Sequence, residues 1–158
     1  MGKILMISYH FPPEEGSCSD KNVKIIKMLL NEGYNVDVLT VGKNKDAESF
    51  LGAKVIRVAG GIFHKNKNIF VGEKFQNDYK GNKRLWLGVL KKFVQSNLIP
   101  DPVIDWYPSV IKWANQNKPL MESYDLVLSI SSPYSVHIIS HYFYKHFRKP
   151  YMCSYGDP

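Results

Sequence analysis

The chain has 158 residues and an ordinary globular composition, enough for one domain with a sizeable buried core. A formal charge of +7 suits an acidic partner such as a phosphorylated ligand or an anionic membrane surface, but no long Lys/Arg run singles out nucleic acid, and none is expected. The two cysteines, Cys18 and Cys153, are too far apart for a zinc motif or a disulfide framework, which favours a reduced cytoplasm; nothing approaches the ~18 apolar residues of a spanning helix, and no signal peptide is recognisable.

Lys3-Ile4-Leu5-Met6-Ile7-Ser8-Tyr9 is an apolar run bounded by turn residues, the pattern of a strand covered on both faces in a parallel α/β sheet. It empties into His10-Phe11-Pro12-Pro13-Glu14-Glu15-Gly16-Ser17, a loop placed by that reading at the sheet's carboxyl edge, where open α/β sheets bind ligands. Ser19 is the expected N-cap of a helix that ends at Gly33, with Asn22, Ile25, Ile26, Leu29 and Leu30 on one face. Asn35–Val41 and Lys54–Ala59 read as the second and third strands, so strand, helix and strand predict a right-handed parallel crossover. Residues 60–83 form a long basic excursion in which Lys65, Lys67, Lys74, Lys80 and Lys83 are mixed with Phe63, Ile69, Phe70, Phe75 and Tyr79 without clean periodicity. Helices follow over 83–97 and 108–117, then a strong strand over 124–131. Ser132-Pro133 opens a helix running to about Phe147, and a fifth strand covers 150–155. The fold class is α/β, a Rossmann-like parallel sheet with helices on both faces.

Such a fold makes a dinucleotide site the first candidate, but G-x-G-x-x-G is absent after the first strand and the second ends in Val41-Gly42-Lys43 without an acidic residue for a ribose. No Walker sequence is present. His137 and His141, four apart on a helix, lack the glutamate of hydrolytic zincins, and two ligands do not make a metal site. His137 instead falls in the first turns of a helix at the ligand edge, which marks it as a site candidate. Cys18 stands near a helix start that stabilises a thiolate, with no partner selected by the sequence, and Cys153 reads as a core thiol. Gly16, the only loop residue without a side chain, is where a phosphate or sugar can approach the backbone, and the following helix start offers free N–H groups. Trp106, Tyr107 and Trp113 are candidate core anchors.

Ile4-Leu5-Met6-Ile7-Ser8-Tyr9 with Phe11-Pro12-Pro13 and Gly16-Ser17, then Leu29 through Thr40, resembles the start of family 4 retaining glycosyltransferases of the GT-B type. The resemblance resumes at Asp101-Pro102 with Trp106 and Pro108. It then runs through Ser131-Ser132-Pro133-Tyr134-Ser135-Val136-His137, and ends at Tyr155-Gly156-Asp157-Pro158, where relatives often carry arginine in place of Gly156. It implies that residues 1–158 are the N-terminal, acceptor-side half of a two-domain enzyme whose donor-binding half is absent from this chain, so that the chain alone is inactive. By the same likeness Gly16 and Ser17 face a donor diphosphate, His137 and Asp157 lie near the reacting sugar as catalytic residues, and His10 and Trp106 belong to the substrate-binding surface. The donor is then a nucleotide-sugar, with no cofactor or metal. The acceptor is a saccharide or lipid-linked, as in cell-surface polysaccharide synthesis, with the 60–83 excursion suited to peripheral contact at the inner membrane face. The alternative is a Rossmann-like nucleotide-binding oxidoreductase or epimerase.

Overall fold

Alternation along the first apolar run sends Leu5 and Ile7 to one face of a strand and Ile4 and Met6 to the other, and both pairs are buried. A strand hydrophobic on both faces needs helices above and below, and the computed structural model, which describes residues 2–43, 48–61 and 100–155, supplies them. Its elements are β1 (Lys3–Ile7), α1 (Ser17–Asn31), β2 (Asn35–Val41), β3 (Glu48–Phe50) and β4 (Ala53–Val58), then a 3-10 turn (Pro102–Trp106). After it come α2 (Tyr107–Gln116), α3 (Lys118–Glu122), β5 (Leu126–Ile130), α4 (Ser135–Phe147) and β6 (Tyr151–Ser154). The strands form one sheet in the order β3-β4-β2-β1-β5-β6, parallel except that β3 runs antiparallel to β4. This is the doubly wound, Rossmann-like arrangement expected from the sequence.

Ile26 of α1 packs with Ile4, Met6, Val36 and Val38 on one face. On the other, Val110 and Ala114 of α2, Met121 of α3, and Ile139 and Phe143 of α4 pack with Leu5, Ile7 and Leu39. At the amino edge the polar groups pair with one another. The Tyr124 hydroxyl donates to Asp37 Oδ2 at 2.7 Å, Lys3 Nζ lies 3.4 Å from the same oxygen, and the Lys3 amide donates to Asp125 Oδ2 at 2.7 Å. Burial, and then the hydrogen bond to Asp37 and its charge, push the Tyr124 phenol above its ordinary pKa.

Several boundaries differ from the sequence expectations. The first strand stops at Ile7, although the Ser8 amide still donates to Leu39 O at 3.0 Å. Helix α1 starts at Ser17 with Gly16 as N-cap, so Ser19 is no cap: the first helical bond, Asp20 N to Gly16 O at 3.0 Å, leaves Ser19 buried in the first turn. Helix α4 starts at Ser135 rather than at Ser132-Pro133, because its cap comes from a distant residue. β3, the 3-10 turn and α3 have no counterpart in the sequence reading, being five residues or shorter. The excursion beyond Gly61 and the helix expected over 83–97 lie outside the described residues. Gly61 passes so close to Asp105 that a Cβ there would collide with the Asp105 carboxylate and carbonyl. Beside it the Trp106 indole donates to Val58 O at 3.3 Å, tying the 3-10 turn to the end of β4.

Candidate functional site

Strand order decides where a ligand can sit. From β1 the chain moves outward through β2 to β4, and then returns to place β5 on the other side of β1, so the order reverses between β1 and β5. Crevices of doubly wound sheets open at such a point, at the carboxyl ends of the strands. Helices α1 and α4 both begin there, on opposite faces of the sheet.

At the start of α1, Gly16 has φ 139° and ψ 163°, a conformation that L-residues avoid. A Cβ built there meets nothing within 4 Å, so the backbone faces open space. Glycine offers no side-chain cap, which leaves the amides of the exposed Ser17 and Cys18 and of the buried Ser19 as an uncapped helix start. The preceding loop is held from beneath. Asn22, 3% exposed, donates through Nδ2 to Ser8 Oγ at 2.6 Å and to His10 O at 2.7 Å, while its Oδ1 is buried without a partner. His10 stays half-buried at the edge, its Nδ1 3.0 Å from Glu14 Oε2 and its ring edge-on to Tyr9.

At the start of α4 a carboxylate already occupies the helix end. Asp101 Oδ2 accepts from the Ser135 amide at 2.9 Å, and Oδ1 accepts from the Ser135 hydroxyl at 2.6 Å and the Val103 amide at 3.0 Å. One side chain therefore caps both the 3-10 turn and α4. Half a turn further on, His137 Nδ1 lies 2.8 Å from Ser129 Oγ of β5, which in turn donates to Met152 O at 3.3 Å. With the serine proton on that carbonyl, Nδ1–H donates to Oγ and Nε2 keeps its lone pair. Nε2 is buried and has no partner. Burial holds the imidazole below the ordinary histidine pKa, so the ring is neutral near pH 7. Tyr155, 65% exposed, lies against it with ring centroids 4.6 Å apart.

The structure thus brings His10, Gly16, Ser17 and His137 to one edge of the sheet. It sets Trp106 apart: the side chain is 0% exposed, edge-on beneath Tyr9 at 5.6 Å, so its contact is with the core and not with a ligand surface. The size of a Trp side chain explains both outcomes, since its aromatic area is the largest gain the core can make here. Asp157 and Gly156 lie outside the described residues. His141 is exposed and 3.4 Å from the Tyr151 hydroxyl, and no group of three His, Cys, Asp or Glu residues gathers among the described residues. Cys18 is exposed on the helix covering the face opposite α4, and Cys153 lies 3.6 Å from Ser129 Oγ.

No protein-family model and no curated protein matches the chain. Among solved structures it is similar to sucrose-phosphate synthase from Thermosynechococcus elongatus, with a TM-score of 0.53 and 14% identity over 99% of this chain. The likeness is one of fold. The chain spans 33% of that protein, about a third of its length. No helix among the described residues is long and apolar enough to cross a membrane.

The sequence puts Asn22 on a helix face and Asp101 in the family resemblance, but it assigns neither of them, nor Ser129 or Glu14, a part in the site. Asp101 sits before a proline, a common place for a capping acid, but its second partner is 34 residues away. Only the folded sheet edge shows that pairing.

Proposed function

We propose that this chain is the acceptor-side half of a retaining glycosyltransferase, which moves a sugar from a nucleotide-sugar to a saccharide or lipid-linked acceptor. One observation carries the reading: an uncapped helix start at a side-chain-free Gly16 and a neutral, unpartnered His137 Nε2 flank the same switch point of a Rossmann-like sheet. Departure of a nucleoside diphosphate needs fixed positive dipoles, and the amides of Ser17, Cys18 and Ser19 supply them where the diphosphate leaves. The reacting sugar needs a neutral hydrogen-bonding partner beside a developing oxocarbenium charge, and an imidazole held uncharged by burial serves without repelling it. His137 reaches that sugar when the Tyr155 ring swings aside. By the family resemblance Asp157 is the second residue assigned to the reacting sugar. The two free cysteines fit a cytoplasmic setting, with peripheral contact at the inner membrane face through residues 60–83.

Calorimetry with a panel of nucleotide-sugars tests the reading on this chain, and sugar transfer tests it on the whole polypeptide. Weak donor binding by the chain together with transfer by the whole is the expected pair of results. Sub-micromolar binding of any nucleotide-sugar, or tight binding of NAD, to the chain alone would overturn it in favour of a self-sufficient nucleotide-binding domain.

A further inference from the structure

Beside the open start of α1, on the β2–β4 side of β1, lies a groove of about 740 Å³. Small-molecule sites run from about 300 to 1,000 Å³. Its build begins with Gly42, just after β2. A Cβ there would fall 2.9 Å from Arg57 Cδ, so glycine lets the arginine stem lie across the strand end. The guanidinium then donates from Nε to Glu48 Oε2 at 3.1 Å and from Nη2 to the Pro12 carbonyl, joining β3, β4 and the loop after β1. Two of its five N–H donors are thereby used, and the others have no acceptor among the described residues. Phe11 and Phe50, edge-to-face at 5.4 Å, provide an apolar wall together with Pro12.

We infer that this groove is a subsite for an uncharged sugar ring of the acceptor, an inference that rests on the glycosyltransferase reading. The ring lays its C–H face on Phe50 and Pro12, which the buried Phe11 backs, and its hydroxyls meet the polar lining. That lining holds two cations, Lys43 and Arg57, and two carboxylates, Glu14 and Glu48. The carboxylates already have partners, Glu48 in Arg57 and Glu14 in His10. An anionic sugar would gain at Arg57 and lose at the Glu48 carboxylate 3.1 Å from it. A hydroxyl donates to a carboxylate and accepts from a guanidinium, so it uses both signs and breaks neither pair.

The test is saturation-transfer NMR on the chain with methyl glucopyranoside, methyl galactopyranoside, glucuronate, glucose 6-phosphate and AMP. At least one neutral glycoside binds saturably, more tightly than the charged compounds, and Phe50→Ala weakens it roughly fivefold with folding intact, as loss of an aromatic face should. Glu14→Gln, which keeps the shape, weakens the same glycoside as a second check. Tighter binding of glucuronate, glucose 6-phosphate or AMP, no binding of any glycoside, or binding indifferent to both variants overturns the assignment. Transfer assays separate the two levels. Unchanged acceptor KM for both variants in an active whole enzyme sinks the groove alone, whereas absence of transfer from every nucleotide-sugar removes its acceptor role together with the glycosyltransferase reading.

Discussion

Helices α1 and α4 begin at the same edge of the same sheet, yet one end is open and the other closed. At α1 the N-cap is Gly16 and no side chain caps the free amides. At α4 the Asp101 carboxylate fills the position that an anionic ligand would take. A helix dipole therefore does not by itself define an anion site; what decides is whether the protein has already placed its own anion there. The closed end serves instead as a rigid mount for His137, two residues into α4.

The comparison breaks most sharply at Gly16. In the whole enzyme, Gly16→Val should lower turnover about 100-fold, the scale of losing oxyanion-type donors. The positive φ adds a cost in stability of about 1–3 kcal/mol although the space is open. Activity per folded molecule, from kinetics at a temperature where both proteins are folded, separates the two. Full activity in the folded variant would falsify the diphosphate role.

Asp101→Ala should convert the closed end into an open one. It removes three hydrogen bonds, and loss of a cap costs about 1–2 kcal/mol, readable as a lower urea midpoint. The same variant should gain weak, salt-sensitive phosphate binding in a 31P titration. A variant as stable as the parent, or one that never responds to phosphate, would mean that the carboxylate is not what closes α4.

The smallest effects concern His137. Its pKa is lowered by burial, so below the ordinary histidine pKa of about 6.5 the unfolded chain binds more protons than the folded one. Stability must then fall as pH drops from about 7 towards 5, and His137→Ala should flatten that slope in thermal melts at several pH values. In the whole enzyme the same change should lower kcat/KM roughly tenfold, about 1.4 kcal/mol. Retained activity together with a large loss of melting temperature would assign the ring to packing alone.

Much of the architecture was legible because burial on both faces writes itself as continuous apolar runs: β2 has its expected limits, and β1, β4 and β5 lie within two residues of theirs. The position of Gly16 and His137 at the carboxyl edge of the sheet was legible for a related reason, since both follow directly from where a strand ends and a helix begins. The polar framework was not. Asn22 is indistinguishable in sequence from a face residue of an amphipathic helix, yet its amide grips Ser8 and His10. Trp106 reads equally as anchor or ligand surface until Val58 O is seen to accept its N–H. Periodicity reports which face is buried, and it carries no information on partners brought together across 34 or 48 residues.

The near-collision at Gly61 has a consequence for how this domain tolerates change. Gly61 touches Asp105, and Trp106 is bonded to the end of β4, so the chain leaves the sheet and returns to it at neighbouring points. Any side chain at position 61 would have to push Asp105 aside, and with it the neighbouring Trp106 indole that donates to Val58 O, so a substitution there would be felt at the end of β4 rather than at the surface.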